Sequence, residues 1–365
     1  MRITFVSPAG TLSGGCRVIA IYARLLRERG HDVTVVAMAQ DVRPTLKERL
    51  FGMPGPRPQP PSHFDTEQVP VRVIYGKDHI DDGDVPDADV VIATWWTTIE
   101  WVHALPARKG KKVHFCQGHE AFSYLPVDRV QSAYRLPLHK IVVARCLADL
   151  MRDSYGIDGA DVVPNSVDQQ LFHASPRRKQ QHSTIGLMYA AAYWKRFNLA
   201  LQVVERVRKN LPALRVLCFG SEEPASPLPD FITFSLKPPQ RSLRDIYADC
   251  DVWLTASSDE GFNLPAMEAM ACRTPVVATQ TGWPAEAVVT GMNGASVPVD
   301  DLEGLARETE ALLRLSETDW QAMSQRAYET VRNSSWEQSA ELFDRALERV
   351  LERSPRFDVP SARPT

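Results

Sequence analysis

The feature that most narrows the folds open to this chain is a pattern that occurs twice: short apolar runs rich in β-branched residues, each followed by a helical stretch. In the first half the runs are "RITFVS", "HDVTVVAMA", "DVVIATWW", "KKVHFCQ" and "HKIVVAR"; in the second they are "TIGLMYAAA", "LRVLCFGS", "DFITFSL", "DVWLTASS", "TPVVATQ" and "GASVPV". Runs of this length, apolar on both faces, suit parallel strands covered by helices on either side. Between the first two runs, Val18, Ile19, Tyr22, Leu25 and Leu26 recur at three- and four-residue steps, and Gly30 stands where a helix is C-capped. Two such series predict an α/β protein of two Rossmann-like, doubly wound parallel sheets facing across a cleft.

Composition agrees with two domains. The chain has 365 residues, 44% of them apolar, which is enough for two cores. A net charge of −3 gives no broad attraction to nucleic acid. The six cysteines show no C-x-x-C spacing, as expected of free thiols in a reducing cytoplasm. The opening "MRITFVSPAG" is too short an apolar run for a signal peptide, and no run approaches the roughly 20 apolar residues of a membrane span, so membrane contact is expected to be peripheral at most. The Pro-rich run "GMPGPRPQPPSHF" reads as a loop or flap. Polar "VVPNSVDQQLFHASPRRKQQHS" reads as the linker, and "SSWEQSAELFDRALERVLER" as a long amphipathic helix. The expected divisions are a first domain over 1–170, a second over 171–335, a final helix over 336–353, and a tail over 354–365.

The chemistry concentrates in "DEGFNLPAMEAMACRTPVVATQTG", residues 259–282. "DVWLTASS" reads as a strand and "LPAMEAMA" as a helix, so "DEGFN" lies in a turn at the strand's C-terminal end, where open α/β sheets bind ligands. Gly261 permits close approach of the backbone, and the N–H groups of Phe262, Asn263 and Leu264 open the helix, a natural cradle for phosphate. Eight helical steps of about 1.5 Å would set the backbones of Glu260 and Glu268 about 12 Å apart, a poor match to a hydrolase acid/base pair. Division of labour fits better: Glu260 accepts from sugar hydroxyls and Glu268 from ribose hydroxyls. A solvated acidic helix start would carry the same two residues.

Other motifs weigh less. "GTLSGG" lacks the G-x-G-x-x-G order of a dinucleotide fold. Three D-x-D pairs (Asp82 with Asp84, Asp87 with Asp89, Asp249 with Asp251) precede strands or sit in a polar loop and read as structural, so no metal is expected. The strings "ARKGKK" and "PRRK" suit solvated surface or contact with acidic lipid. Trp95, Trp96 and Trp101, in "WWTTIEW", fit either an acceptor-side wall or the core.

"EGFNLPAMEAMACRTPVVAT" resembles the E-x7-E signature of retaining GT-B glycosyltransferases of family 4. Further segments agree in order: "GG" with "LLRERGHDVTVV", then "VVPNSVDQQLF", then "SSWEQSAELFDRAL". The resemblance covers nearly the whole chain. It implies a hydroxyl acceptor held by the first domain, a nucleoside diphosphate sugar held by the second, a final helix crossing back to the first, and no cofactor. It makes Glu268 the ribose-binding acid, and gives sugar and diphosphate to Glu260, Gly261 and the amides of Phe262, Asn263 and Leu264. Lys195 becomes the cation that neutralises the leaving phosphates, and Gly14 and Gly15 the loop facing them. Relatives usually carry "GR" upstream of that lysine. Tyr189 and Ala190 stand there instead, which leaves Arg196 to share the charge. A histidine near the reacting sugar corresponds to Gln117 or His119. The implied activity is retaining, metal-independent transfer of a hexose or deoxyhexose in carbohydrate biosynthesis. A GT-B epimerase or phosphorylase, and a non-catalytic nucleotide- or glycan-binding module, remain as rival readings.

Overall fold

The computed structural model describes residues 1–40 and 59–352; most of the Pro-rich run and the tail 354–365 lie outside them. The chain forms two compact units. One comprises Met1–Val142, Met151–Val163 and the chain from Ala340 on; the other comprises Val143–Leu150 and Pro164–Ser339.

The first unit is built on seven parallel strands: β1 (Arg2–Ser7), β2 (Asp32–Met38), β3 (Val71–Ile74), β4 (Val90–Ala93), β5 (Lys111–Cys116), β6 (His139–Val142) and β7 (Asp161–Val162). Their order is β3-β2-β1-β4-β5-β6-β7, with Phe5 of β1 opposite Val35 on one side and Ile92 on the other. The helix Gly14–Glu28 follows β1, capped by Ser13, whose Oγ accepts from the Cys16 N–H. Its predicted stripe, Val18, Ile19, Tyr22, Leu25 and Leu26, is buried. It ends at Gly30, where φ is 90° and the His31 N–H returns to the Leu26 carbonyl. Strands β3 and β7 escape the apolar pattern because β3 has an exposed Arg72 within its run and β7 is only two residues long.

The final helix, Trp336–Glu352, completes this unit's core from far along the chain. Phe343 packs 4.7 Å from Tyr22, 5.1 Å from Phe115 and 6.1 Å from Phe5, centroid to centroid. Arg349 pairs with Asp161 at 2.7 Å, and Arg29 with Asp344 at 3.1 Å.

The second unit has six parallel strands: β8 (Thr184–Tyr189), β9 (Arg215–Gly220), β10 (Ile232–Leu236), β11 (Val252–Thr255), β12 (Val276–Thr279) and β13 (Gly294–Val297), ordered β10-β9-β8-β11-β12-β13. Ile185, Leu187, Val216, Val252, Leu254 and Val277 fill its core, with Val203, Val204 and Val207 of the helix Phe197–Asn210 against them. The polar run expected to be a linker spans the step between the units at Val163 and Pro164, and its later part is packed. Phe172 is fully buried, edge-on to Tyr247 at 6.0 Å, and Val167 is buried as well, so the apolar members of a polar stretch anchor it to the second unit.

Candidate functional site

In the second sheet the strand order reverses between β8 and β11, and the C-terminal ends of the two strands open a crevice of the kind that holds ligands in doubly wound folds. After β8 the chain makes one 3-10 turn, Tyr193–Lys195, and passes through Arg196 in the left-handed region (φ 49°) before the helix Phe197–Asn210 begins. The Ser258 N–H donates to the Trp194 carbonyl at 2.7 Å, tying this turn to the one after β11. Lys195 Nζ is thereby carried to the Glu260 carboxylate, 2.7 Å from Oε1 and 2.9 Å from Oε2. Ser257 Oγ donates to the same Oε1 at 2.7 Å, and Thr279 Oγ1 donates to the Ser257 carbonyl. Both charges are largely withdrawn from water, the Lys195 side chain 21% exposed and that of Glu260 8%. Beside them, burial and then the Glu260 charge push the Asp259 carboxyl up to about 6, with Lys195 opposing.

The turn that follows sets up a helix start. Asn263 sits in the left-handed region (φ 76°) and its Nδ2 donates to Thr255 Oγ1 at 3.0 Å, fastening the turn to the end of β11. The helix Leu264–Ala271 begins directly after it, with Pro265 in the first turn. Pro265 has no N–H and that of Ala266 bonds the Asn263 carbonyl, which leaves the Leu264 N–H as the helix-opening donor for an anion. Gly282 closes over the turn: a Cβ there would lie 2.9 Å from Glu260 Cβ and 2.9 Å from the Phe262 carbonyl oxygen. The Trp283 N–H donates to that carbonyl, and its ring stacks on Phe262 at 5.9 Å. Lys195, Ser257, Glu260, Asn263 and Thr255 wall one cavity. Glu268 is not in that wall. It is buried within the helix, where Tyr247 donates its hydroxyl to Oε2 at 2.8 Å. The two glutamates therefore occupy different surroundings, contrary to what a hydrolase pair requires.

Other candidates fall elsewhere. Arg196 pairs its half-exposed guanidinium with Asp300 at 3.0 Å. Tyr189 at the end of β8 is buried edge-on to Phe197 at 4.8 Å, its hydroxyl accepting from the Ala225 N–H. An aromatic ring thus fills the end of β8. In the D-x-D pairs, Asp84 binds Lys77, Asp89 binds Arg2, and Asp251 accepts from the Gln180 and Thr184 N–H groups. In the basic strings Arg108 and Arg178 are exposed, as solvated surface requires, while two lysines are drawn inward. Lys109 is buried between Asp82 and Asp87, and Lys179 donates to the Leu313 and Leu315 carbonyls.

The remaining candidates lie in the first unit. Gly14 and Gly15 open the helix after β1, and Gln117 Nε2 reaches the Gly15 carbonyl at 3.3 Å, so Gln117 adjoins the glycine loop. His119 is engaged with Tyr155 OH at 2.7 Å, and burial holds its imidazole below the usual histidine range, neutral near pH 7. Trp95 caps the helix Trp96–Ala104, and Trp96 is buried with its N–H on Glu120, under the Arg129 guanidinium at 5.2 Å. Burial raises the Glu120 carboxyl well above the carboxylate range. Trp96 thus belongs to the core, leaving Trp95 and Trp101 partly exposed.

Sequence reasoning missed Ser257, Tyr247, Asp259 and Gly282. Of these, only Gly282, beside a loop tryptophan, and Asp259, adjoining Glu260, carried any local signal.

Comparison with known proteins places this geometry. Residues 12–171 match the family model described as Glycosyltransferase Family 4, and residues 182–315 match that of Glycosyl transferases group 1. The chain belongs to glycosyltransferase family 4, group 1. The D-inositol 3-phosphate glycosyltransferase of Mycobacterium marinum is 28% identical over 211 residues, covering 52% of this chain and 45% of that protein. The O-antigen biosynthesis protein RfbC of Myxococcus xanthus is 26% identical, over 72% of this chain and 22% of its own length. The chain thus spans less than half the length of these curated relatives. Among solved structures, sucrose-phosphate synthase from Thermosynechococcus elongatus superposes with a TM-score of 0.73 at 16% identity, over 97% of this chain and 100% of that one. HepE of Anabaena, solved with UDP and glucose, gives 0.71 at 15%, over 96% and 100%. The fold is GT-B, two parallel-sheet α/β domains.

Proposed function

We propose that this chain moves a hexose or deoxyhexose from a nucleoside diphosphate sugar to a hydroxyl acceptor, with retention of configuration and without a metal ion. The observation that carries the reading is the Lys195–Glu260–Ser257 cluster beside the start of the helix Leu264–Ala271, at the point where the strand order reverses. In this reading the diphosphate lies on the N–H groups of Phe262, Asn263 and Leu264, Lys195 faces its developing charge, and Glu260 accepts from sugar hydroxyls. The acceptor oxygen attacks the anomeric carbon from the face that the diphosphate leaves. The acceptor proton passes to a phosphate oxygen, so no protein nucleophile is required. Glu268, with one oxygen bonded by Tyr247, takes the ribose hydroxyls. Metal independence rests on the D-x-D carboxylates being bonded to cations and amides of their own fold. The solved complex of HepE with UDP and glucose supports a uridine diphosphate donor.

Tyr189 and Ala190, in the place of the family's usual glycine and arginine, favour a second reading in which donor is bound and left intact. One experiment separates the two. Thermal unfolding with UDP, GDP, dTDP and ADP, on the native chain and on Glu268→Ala, identifies the base; a ligand at a hundred times its Kd adds about 2.7 kcal/mol. NMR of the corresponding nucleotide sugar with candidate acceptors then shows either an axial or equatorial product matching the donor, or donor unchanged. Stabilisation by no nucleoside diphosphate would overturn both readings.

A further inference from the structure

The string "PRRK" lies outside the chemistry above, and in the second unit it borders a recess of about 360 Å³ walled by Arg177, Arg178, Arg273, Gln321, Ser324 and Gln325. Three arginines line it, and among the described residues none of them is ion-paired with a carboxylate. Arg177 lies 4.6 Å over the Trp320 ring and donates through Nη2 to Thr274 Oγ1 and the Cys250 carbonyl, while its Nε is buried with no partner. Arg273, almost wholly buried, lies 4.3 Å over Tyr328 and donates to the Ala174 carbonyl and to Gln325 Oε1. Arg178 is exposed. The nearby acids are already engaged by neutral donors: Asp251 by the Gln180 and Thr184 amides, Glu317 by the Lys179 N–H and Gln321, and Glu329 by Gln325.

Like charges drawn toward one recess in partly dry surroundings repel; the Asp251 and Asp249 carboxylates offset part of this at Arg177, and an anion in the recess offsets more. Arginine forks suit the paired oxygens of a phosphate. The volume is that of a small-molecule site, larger than bare phosphate needs. We propose that this recess binds a phosphate ester. It is separate from the donor turn: Arg273 follows the C-terminal end of the helix whose N-terminal end carries Asn263, about 12 Å of helix at 1.5 Å per residue. The ester could be a soluble metabolite or the headgroup of an acidic lipid, and both present the same chemistry.

Two arms distinguish these sources, each on the full chain. Calorimetric titration with glycerol 3-phosphate reads the soluble arm; co-sedimentation with phosphatidylcholine vesicles, with and without phosphatidylglycerol, reads the lipid arm. Both are repeated with Arg178→Glu, with Gln325→Glu, and with Lys195→Met as a control at the donor turn. Gln325→Glu keeps an acceptor on Arg273 and cancels its charge; it also loses the amide that donates to Glu329, so its melting temperature is compared with the native chain's before binding is read. Binding in either arm that weakens about tenfold, about 1.4 kcal/mol, in both recess variants and not in Lys195→Met supports the site and names its source. Binding in neither arm, or binding insensitive to both recess variants, overturns it.

Discussion

Replacing Lys195 by Met keeps the aliphatic stem and removes the ammonium that lies 2.7 and 2.9 Å from the Glu260 oxygens. The carboxylate, 8% exposed, then retains only the Ser257 hydroxyl among the donors described for it. Leaving a fully buried charge without its partner costs about 3–5 kcal/mol. Here the lysine was 21% exposed and water can follow into its place, so about 2 kcal/mol is expected. In a domain of about 150–250 residues that lowers Tm by roughly 4–8 °C. The double variant Lys195→Met, Glu260→Gln removes the stranded charge and keeps an acceptor for Ser257, and should recover to within about 1 kcal/mol of the native chain. Thermal unfolding followed by tryptophan fluorescence reads this directly, because Trp253 and Trp320 are both buried in the second unit. A double variant no more stable than Lys195→Met would refute the reasoning, since it would show that the carboxylate bears no desolvation cost and that the lysine acts by packing alone.

Three more outcomes follow from the site. Asp259 has a folded-state pKa near 6 against an ordinary 3.8, so the unfolded chain loses this proton first and the group's contribution to stability falls as pH rises from about 4 to about 6, then stays level. Asp259→Asn should therefore stabilise the chain by about 1–3 kcal/mol at pH 7 and by nothing near pH 4; a difference that does not vary with pH would contradict the assignment. Tyr247→Phe leaves Glu268 short of one donor and should cost about 1–3 kcal/mol while weakening nucleoside diphosphate binding, and unchanged melting and titration curves would remove Tyr247 from the site. Gly282→Ala puts a methyl group 2.9 Å from Glu260 Cβ at a φ of 58°, so it should cost more than about 1 kcal/mol and lower turnover; a variant with native stability and activity would show that the turn yields freely.

The parallel strands were legible because a strand buried on both faces needs an unbroken apolar run, and no other element of four to six residues looks like that. The turn holding Glu260 and Asn263 was legible for the same reason, since it must follow such a run. Contacts between distant segments were not. Nothing near Tyr247 marks it as the donor to Glu268, because the two lie on different helices and Tyr247 reads as one more apolar residue of its own. The places of two lysines in the basic strings were hidden for a related reason. A run of charges predicts solvent exposure only while its acids and carbonyls stay out of reach, and Lys109 and Lys179 find theirs through tertiary packing. Nor do charge and spacing encode that Arg196 pairs with Asp300 from a left-handed backbone position.

The last helix gives the chain an order of assembly. Phe343, Ala346 and Leu347 are fully buried, and they belong to the unit whose other strands lie before Pro164. During synthesis the first unit therefore has all seven strands in hand while a share of its core is still unmade, until the whole of Pro164–Ser339 has emerged behind it. At about 5–20 residues per second that interval is roughly 10–30 s, far longer than a domain of this kind needs to collapse. The nascent first unit waits with the seat for Phe343 beside Tyr22 and Phe115 open to chaperones, and the second unit can finish folding before it.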